Sequence, residues 1–300
     1  MTMQWKGVMP AITTSFTESL QVDHAFLAKH CTWLVDHGCT GLVALGSLGE
    51  AAALTFDEKR AVLNTCIQAV GSRVPIVAGI SALTTSEAVI LAKVAQDAGC
   101  QGLMVLPPYV YRGDWREMKA HVSAVIAATN LSCMLYNNPV AYGTDFLPGN
   151  IQDLAEAFPN LHAVKESSTD VRRIMAIRAL IGERLALFVG VDDAIVEGIY
   201  AGAVGWIAGL VNAMPAESVA LYNYAVNHDY EAAAALYHWF LPLLRMDTVG
   251  KFVQLIKVVQ EAVGMGSARV RPPRLQLEGP ELDQAKVTIT EALAKRPQFS

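Results

Sequence analysis

Short apolar runs alternate along the chain with longer stretches in which apolar residues recur at helical spacing. The short runs are continuously apolar, which is typical of strands that are buried on both faces of a parallel sheet. They predict eight strands, at residues 7–11, 41–45, 75–78, 102–106, 133–136, 161–165, 185–189 and 204–208. The stretches between them predict helices at residues 23–37, 57–70, 85–98, 115–128, 148–157, 170–181, 192–201 and 216–226.

This alternation predicts the fold class. The strand–helix units fill residues 7–226, a length that suits an α/β protein with the architecture of a (β/α)8 TIM barrel. A doubly wound sheet is the alternative, but it usually has fewer strands, and no GxGxxG follows the first predicted strand. Residues 228–263 and 281–295 also have helical periodicity. We therefore predict a barrel over residues 1–226 and a C-terminal helical extension over residues 227–300.

Three predicted helices start with two residues at capping-box spacing. In such a box the first side chain accepts from the backbone of the first turn, and a glutamate three residues later reaches back. This spacing predicts where the three helices begin. The pairs are Thr55 with Glu58, Thr84 with Glu87, and Asp114 with Glu117.

Composition excludes several classes of protein. The chain is 53% apolar and only 17% charged, which excludes disorder and predicts a large core, a partly apolar surface and hence a homo-oligomer. The net charge is −5 and no cluster of Lys and Arg stands out, so we expect no nucleic-acid partner. Two segments without acidic or basic side chains, 120–144 and 198–216, contain Asn and are broken by His or Gly. Buried strands explain them better than a membrane span does, so we expect no membrane partner.

Several other kinds of site have little support in the sequence. The five cysteines are scattered and no signal-peptide pattern opens the chain, which predicts reduced thiols in the cytoplasm. The seven histidines include no HExxH, and we expect no metal site. Asp192 and Asp193 follow the seventh predicted strand and are interpreted as the N-cap of the next helix rather than as a metal pair. The absence of a GxSxG elbow excludes a serine hydrolase of that type.

Candidate chemistry lies at the carboxyl ends of the predicted strands, where a TIM barrel carries its active site. Lys165 ends the sixth strand; burial there favours the neutral amine, which forms imines, whereas a lysine pointing to solvent is the alternative. Tyr136 ends the fifth strand and could transfer protons, the alternative being a packed tyrosine. Residues 46–50 follow the second strand, and their backbone N–H groups with the Ser47 hydroxyl could bind an anion, unless they form an ordinary turn.

Three motifs occur together in the order and spacing of one family. Residues 46–50 are Gly-Ser-Leu-Gly-Glu, residues 136–139 are Tyr-Asn-Asn-Pro, and residues 165–168 are Lys-Glu-Ser-Ser. With them the chain resembles the dihydrodipicolinate synthase / N-acetylneuraminate lyase family of class I aldolases and lyases. The resemblance extends over almost the whole chain. It implies a TIM barrel with a helical C-terminal extension, usually assembled as a homotetramer.

The resemblance also implies roles for individual residues. Lys165 matches the lysine that forms a Schiff base with a 2-oxo acid, and Tyr136 matches the tyrosine that relays protons. Ser47 and the Leu48 backbone N–H match the groups that hold the substrate carboxylate, and Ser167 matches a contact to the hydroxylated part of the substrate. Two further candidate substrate contacts are Ile207, near the end of the eighth predicted strand, and Tyr109, after the fourth.

Departures from the family pattern narrow the substrate. Where the synthases carry a substrate-binding arginine, this chain has Ala141, and Leu48 replaces a threonine of their anion-binding loop. Val110 follows Tyr109 in place of a second aromatic residue, which puts the cross-subunit tyrosine of the relay in doubt. Tyr111 is a candidate to replace that tyrosine, and Arg112 is a candidate to replace the missing arginine.

The remaining motifs indicate one subgroup of the family. YNNPVxYG at 136–143, KESSxDVRR at 165–173 and VRxPRL at 270–275 are similar to the deaminases of hydroxyproline catabolism. Those enzymes convert 1-pyrroline-4-hydroxy-2-carboxylate to 2,5-dioxopentanoate and ammonia, with neither a metal nor an organic cofactor. The alternatives are a 2-oxo-3-deoxy sugar acid dehydratase or aldolase, a 4-hydroxy-tetrahydrodipicolinate synthase, and a non-catalytic ligand-binding barrel.

Overall fold

A computed structural model describes residues 3–108 and 110–298, and the sheet in this part of the chain has eight parallel strands in the order β1-β8-β7-β6-β5-β4-β3-β2. At its open edge Ala11 bridges to Val43, and the Ile12 N–H donates to the Val43 carbonyl over 2.9 Å, so the sheet nearly closes on itself. The predicted TIM barrel is therefore confirmed. The strands are β1 (Gly7–Pro10), β2 (Leu42–Ala44), β3 (Ile76–Ile80), β4 (Gly102–Val105), β5 (Ser132–Asn137), β6 (Leu161–Glu166), β7 (Ala186–Val189) and β8 (Gly205–Ala208).

Helices alternate with these strands and cover the outside of the barrel. Almost all strand side chains are buried, because the helices shield one face and the strands pack against each other on the inner face. The α-helices are α1 (His24–Asp36), α2 (Phe56–Val70), α3 (Thr85–Ala98), α4 (Trp115–Ala127), α5 (Pro139–Tyr142), α6 (Pro148–Ala157), α7 (Arg172–Ile181), α8 (Ile195–Tyr200), α9 (Pro215–Val226), α10 (Tyr230–Leu244), α11 (Phe252–Ala262) and α12 (Gly279–Ala294).

Local capping sets the starts of three barrel helices. Both halves of the predicted capping box are present at Thr55 with Glu58 and at Asp114 with Glu117, where α2 and α4 begin. The Thr84 side chain accepts from the Glu87 N–H at the start of α3. The side-chain oxygens thereby satisfy backbone donors that have no partner within the helix.

The C-terminal helices differ from the prediction in one respect. The periodicity over 228–263 predicts continuous helical structure, but a 3-10 turn at Arg245–Asp247 and an irregular segment at 248–251 separate α10 from α11. Thr248, Val249 and Gly250 of this segment line a cavity at the barrel. The predicted division of the chain after residue 226 stays a prediction.

α11 is fastened to the loops that follow β1 and β2. Lys257 of α11 donates to the Thr14 carbonyl over 2.9 Å and to the Glu50 carboxylate over 2.6 Å. The Thr13 hydroxyl donates to Gln260 of the same helix over 2.9 Å. These buried bonds bring the C-terminal helices to the carboxyl ends of the strands.

Two further findings concern membrane spans and the cysteines. None of the helices in the described ranges is both long enough and apolar enough to cross a bilayer. All five cysteines are buried and free.

Candidate active site

One cavity of about 500 Å³ lies at the carboxyl ends of the strands and collects most of the predicted site residues. Three of its walls come from the loop after β2, the ends of β5 and β6, and the segment between α10 and α11. Tyr109 lies outside the described residues. The predicted site residues in the cavity wall are Lys165, Tyr136, Ser47, Leu48, Ser167 and Ile207.

Lys165 lies inside the cavity rather than in solvent. It is paired in register with Tyr136 on the neighbouring strand β5, and the residue is only 6% exposed. The Lys165 Nζ atom lies 4.2 Å from the centroid of the Tyr136 ring. The Lys165 amine and the Tyr136 phenol therefore lie side by side. Imine formation requires an amine, and proton transfer requires an acid–base group such as a phenol.

Gly190, directly after β7, makes room for Lys165. A Cβ atom at this position would lie 2.0 Å from the Ser167 Oγ atom and 2.5 Å from the Lys165 Cε atom, so a larger residue would displace both side chains. The Ser167 hydroxyl is buried and has no hydrogen-bond partner among the residues that the structure describes. It is therefore available to a bound molecule, and its predicted contact with the substrate stays a prediction.

A buried polar network fixes the ends of β5 and β6 behind Lys165 and Tyr136. Asn137 donates to Glu166 over 3.0 Å and to Asp145 over 3.2 Å, and Arg173 forms two bonds of 2.6 and 2.8 Å with Asp145. The Ser168 N–H donates to the Glu166 carboxylate over 2.6 Å. Burial raises the pKa of Glu166, although these hydrogen bonds oppose the rise. The network holds the two strand ends in one geometry.

Tyr136 belongs to a row of hydroxyl groups in the cavity. Asn138 donates from Nδ2 to the Tyr136 hydroxyl over 3.0 Å, and its Oδ1 accepts from the Ala141 N–H at the start of α5. The short helix α5 presents Tyr142, whose hydroxyl is hydrogen-bonded to Ser47 and whose ring packs edge-on against Tyr136 at 5.8 Å. Tyr142 belongs to the YNNPVxYG motif but no role was predicted for it, although Asn138-Pro139 is a recognisable helix start.

The loop at residues 46–50 is held by Glu50. This residue has a left-handed backbone (φ 54°), and its buried carboxylate accepts from Lys257 over 2.6 Å and from the Arg271 N–H over 3.0 Å. Burial lowers the pKa of Lys257, and the Glu50 charge opposes this. Ser47 and Leu48 are thereby placed in the cavity wall. The role of the Leu48 N–H as a carboxylate donor stays a prediction.

The interpretation of Asp192 as a helix N-cap is wrong. Its buried carboxylate accepts from the Trp206 indole over 3.1 Å, from the Gly209 N–H over 3.1 Å and from the Leu210 N–H over 2.8 Å. The 3-10 turn at Asp192–Ala194 has no side-chain cap, because Asp192 points away from it to the turn after β8. Burial raises the pKa of Asp192 to about 6. Within the described ranges, no group of three or more His, Cys, Asp or Glu side chains could hold a metal ion.

A second carboxyl group, that of Asp247, enters the cavity wall from the C-terminal extension. A Cβ atom on Gly209 would lie 1.9 Å from the Asp247 Oδ1 atom, so the glycine after β8 lets this side chain approach. Burial raises the pKa of Asp247 well above its usual range, and the charge of Asp192 adds to the rise. Asp247 was missed because it lies within apparently continuous helical periodicity, although Gly250 nearby was a signal for a break.

The two replacement candidates, Tyr111 and Arg112, are not part of the cavity wall. Tyr111 is 56% exposed and donates to Glu117 over 2.8 Å. Arg112 packs on Gly143, where a Cβ atom would lie 2.2 Å from its Nε atom, and it is not among the residues of the cavity wall. The role of Tyr111 across a subunit interface stays a prediction.

Comparison with known proteins assigns the family. A 4-hydroxy-tetrahydrodipicolinate synthase of Agrobacterium fabrum is 31% identical over 281 residues, covering 94% of this chain and 96% of that protein. The solved dihydrodipicolinate synthase from Aquifex aeolicus superposes with a TM-score of 0.90 at 26% identity, covering 97% of each chain. A prophage protein of the same family from E. coli K12, solved in complex with pyruvate, superposes with a TM-score of 0.90 at 27% identity, covering 96% of this chain and 99% of that one.

The family model matches nearly the whole chain, as the alignments with single relatives do. The model of the dihydrodipicolinate synthetase family matches residues 4–292, which include the whole barrel and most of the C-terminal helices. The buried lysine beside a tyrosine at the ends of neighbouring strands agrees with the Schiff-base chemistry that the sequence motifs imply. The chain therefore belongs to the dihydrodipicolinate synthetase family, as a TIM-barrel lyase.

Proposed function

We propose that the chain is a Schiff-base-forming deaminase that converts 1-pyrroline-4-hydroxy-2-carboxylate to 2,5-dioxopentanoate and ammonia. The observation that carries this proposal is Ala141, which lines the cavity at the position where the synthases carry a substrate-binding arginine. Around it the wall offers hydroxyl groups from Ser47, Tyr142 and Ser167. Arg274 adds a single guanidinium to the wall, which suits a small hydroxylated substrate with one carboxylate better than it suits two carboxylate-bearing substrates.

The chemistry of the reaction fits the residues of the cavity. The Lys165 amine attacks C2 of the cyclic imine, the C2–N bond of the ring opens, and the substrate is held as a Lys165 imine with a free amine on C5. This imine accepts electrons, so Tyr136 can remove a proton from C3 while the hydroxyl on C4 leaves as water. Ser47 and the Leu48 N–H are the proposed carboxylate-binding groups.

Hydrolysis completes the reaction. After the loss of water, the double bond moves until C5 carries an imine, which water hydrolyses to the aldehyde and ammonia. A further water molecule hydrolyses the imine at C2 and frees Lys165. One water is released and two are consumed, so the net reaction is substrate plus water giving 2,5-dioxopentanoate plus ammonia. No step calls for a metal or an organic cofactor.

A second candidate function is supported by the relatives, which are named 4-hydroxy-tetrahydrodipicolinate synthase. A 2-oxo-3-deoxy sugar acid dehydratase or aldolase uses the same lysine and tyrosine and is a third candidate. The test is a screen of purified protein against the hydroxylated pyrroline, pyruvate with aspartate semialdehyde, and 2-oxo-3-deoxy sugar acids. Ammonia and 2,5-dioxopentanoate from the pyrroline at the highest kcat/KM support the proposal. Water loss or pyruvate formation from a sugar acid, without ammonia from the pyrroline, contradicts it.

The proposal includes a homotetramer in the cytoplasm, without nucleic-acid or membrane partners. Two consecutive large side chains are exposed in the loop after β4, where Val110 is 93% and Tyr111 is 56% exposed. Solvent-exposed apolar side chains that lie near each other are typical of surfaces that associate. Light scattering on purified protein tests this, and a monomeric mass at micromolar concentration contradicts it.

A further inference from the structure

The break between α10 and α11 brings an acid to the active site. In place of a continuous helix, the turn at Arg245–Asp247 places the Asp247 carboxyl group over Gly209, in the wall of the cavity that contains Lys165 and Tyr136. In strand order, Tyr136 lies on β5, Lys165 on β6 and Gly209 directly after β8. The lysine therefore lies between the tyrosine and the acid around the barrel.

Asp247 is not satisfied by the protein. Its Oδ1 atom is shielded from solvent and has no hydrogen-bond partner in the described part of the chain. The adjacent cation, Arg245, pairs instead with Asp193 at 3.5 Å. A buried carboxyl oxygen without a partner costs free energy, so its persistence in a cavity indicates that a bound molecule supplies the partner.

The charged groups around Asp247 determine its protonation. Asp192 and Asp193 face it with negative charge, and Lys165 is the cation that acts on it. Asp192 cannot take the part of Asp247, because Trp206 and two backbone N–H groups already occupy its oxygens. Burial and the Asp192 charge raise the pKa of Asp247, so the carboxyl group tends to keep its proton.

Glu50 provides the other carboxyl group in the cavity wall, and both of its oxygens have partners in the protein. Glu50 forms a buried ion pair with Lys257 and also accepts from the Arg271 N–H. Its charge is compensated and its oxygens are occupied, so it is not a proton donor. Among the cavity residues that the structure describes, Asp247 is the carboxyl group that can donate a proton to a ligand.

We propose that Asp247 is a catalytic acid, which protonates the C4 hydroxyl of the substrate as it leaves. This step rests on the proposed deaminase function. The C3–H electron pair, released as Tyr136 takes the C3 proton, forms the C3–C4 double bond. The C4–O bond breaks, its electron pair stays on oxygen, and the Asp247 proton converts the leaving hydroxyl to water. The Asp247 carboxylate then takes a proton from C5, which restores the acid, and Tyr136 returns its proton to C3. The enamine left at C4 and C5 tautomerises to the C5 imine.

The test separates proton abstraction from water loss. Asp247→Asn, which cannot act as an acid, is compared with the unmodified protein in two assays. The first is hydrogen–deuterium exchange of the pyruvate methyl group, which requires Lys165 and a base but no leaving group. The second is ammonia release from the hydroxylated pyrroline. We expect exchange within threefold of the unmodified protein and a loss of about 10²–10⁴-fold in kcat for ammonia release, the usual range for one acid–base group.

A leaving group that needs less protonation provides a third readout. The 4-fluoro analogue of the substrate loses fluoride before the C5 proton is removed, so in a single turnover Asp247→Asn should slow fluoride release at least tenfold less than it slows ammonia release from the hydroxyl substrate. Asp283→Asn is the matched control: it removes an exposed carboxylate of α12 that is not in the cavity wall, and all three rates should stay within twofold. Asp247→Ser is made in parallel, in case the asparagine variant does not fold.

Each outcome has a distinct meaning. If the Asp247 variants release ammonia within threefold of the unmodified protein, or lose pyruvate exchange as much as ammonia release, Asp247 is not the acid. If the unmodified protein exchanges the pyruvate protons but releases no ammonia from the pyrroline, the proposed function is wrong, and this step falls with it.

Discussion

At the scale of the residue, the chemistry depends on Lys165 being the amine that forms the imine. Borohydride reduction in the presence of pyruvate should add mass at Lys165 alone. The other buried lysine in this region, Lys257, should remain unlabelled because its ammonium is held in an ion pair with Glu50. Lys165→Ala should retain less than 1% of normal activity, since enzymes of this kind accelerate reactions by about 10⁶-fold or more. Label on Lys257, or substantial activity in Lys165→Ala, contradicts the assignment.

Tyr136 is expected to transfer the proton at C3. Tyr136→Phe should still be trapped by borohydride, but exchange of the pyruvate methyl protons should fall by about 10²–10⁴-fold. Tyr142→Phe is the comparison, because the Tyr142 hydroxyl is hydrogen-bonded to Ser47 in the same row. Near-normal exchange in Tyr136→Phe, together with a large loss in Tyr142→Phe or Tyr111→Phe, would assign the proton transfer to one of those two tyrosines instead.

The sequence identifies residues at strand ends better than residues on irregular turns. Lys165 and Tyr136 could be placed in one cavity because the carboxyl ends of parallel strands meet at one face of a barrel. Asp192 was misassigned because its position between a strand and a helix suggests a helix cap. Its actual hydrogen-bond partners, Trp206 and Leu210, are distant in sequence and come close to it only in the folded barrel. Asp247 and Tyr142 lie on a 3-10 turn and on a helix of four residues, for which no periodicity predicts a direction.

At the scale of the element, the apolar runs predict the strands of the barrel, but the helical periodicity does not predict where α10 ends. Every predicted strand is present because a strand that is buried on both faces of a parallel sheet is continuously apolar. The separation of α10 from α11 is hidden because apolar residues recur at helical spacing on both sides of it. Pro242 near the end of α10 and Gly250 before α11 are the local signals of the interruption.

The contact that fastens α11 to the barrel is the buried pair of Lys257 and Glu50, with side chains 2% and 0% exposed. Lys257→Met leaves the Glu50 charge buried without its partner, so the free energy of unfolding should fall by about 3–5 kcal/mol in urea denaturation. The double variant Glu50→Gln/Lys257→Met should recover part of this loss. Arg60→Met, which removes an exposed pair with Asp57, should cost less than about 1 kcal/mol. Equal effects of the buried and the exposed single variants contradict this account.

At the scale of the whole molecule, His30 makes stability depend on pH. This fully buried residue on α1 is hydrogen-bonded to the Asn212 carbonyl, and burial lowers its pKa to about 4. Between pH 6.5 and about 4 the unfolded chain binds a proton at His30 that the folded chain does not. The contribution of His30 to stability is therefore constant above pH 6.5 and falls by about 3 kcal/mol as the pH decreases to 4.

Other groups titrate in the same range with the opposite sign, so a variant must isolate this effect. The pKa of Asp192 is raised to about 6, so the folded chain binds a proton at Asp192 at a higher pH than the unfolded chain does. This difference stabilises the folded chain as the pH falls. The measurement is therefore the difference in unfolding free energy between the unmodified protein and His30→Gln at pH 7 and pH 4. A difference that does not change in favour of the glutamine variant at low pH contradicts the prediction.

The choice of substrate depends on how many anionic groups the whole site can hold. A synthase must bind a second carboxylate-bearing substrate, and a hydrogen bond to a charged group contributes about 1.5–3 kcal/mol. Ala141 offers no side-chain donor, so a missing two-bond guanidinium contact should lower synthase kcat/KM by about 10²–10⁴-fold, at 1.4 kcal/mol per tenfold. We therefore expect the kcat/KM of coupled synthase activity, with pyruvate and aspartate semialdehyde, to lie far below that of deaminase activity on the hydroxylated pyrroline.

If synthase activity is nevertheless high, two arginines near the cavity are candidates to bind the second carboxylate. Arg274 lines the cavity, whereas Arg112 packs on Gly143 outside the cavity wall. If synthase kcat/KM lies within tenfold of the deaminase value, the deaminase assignment is wrong, and a substitute guanidinium must bind the second carboxylate. Arg274→Met should then abolish the synthase activity while Arg112→Met leaves it intact. Loss in Arg112→Met alone would instead show that its side chain turns into the cavity when the substrate binds.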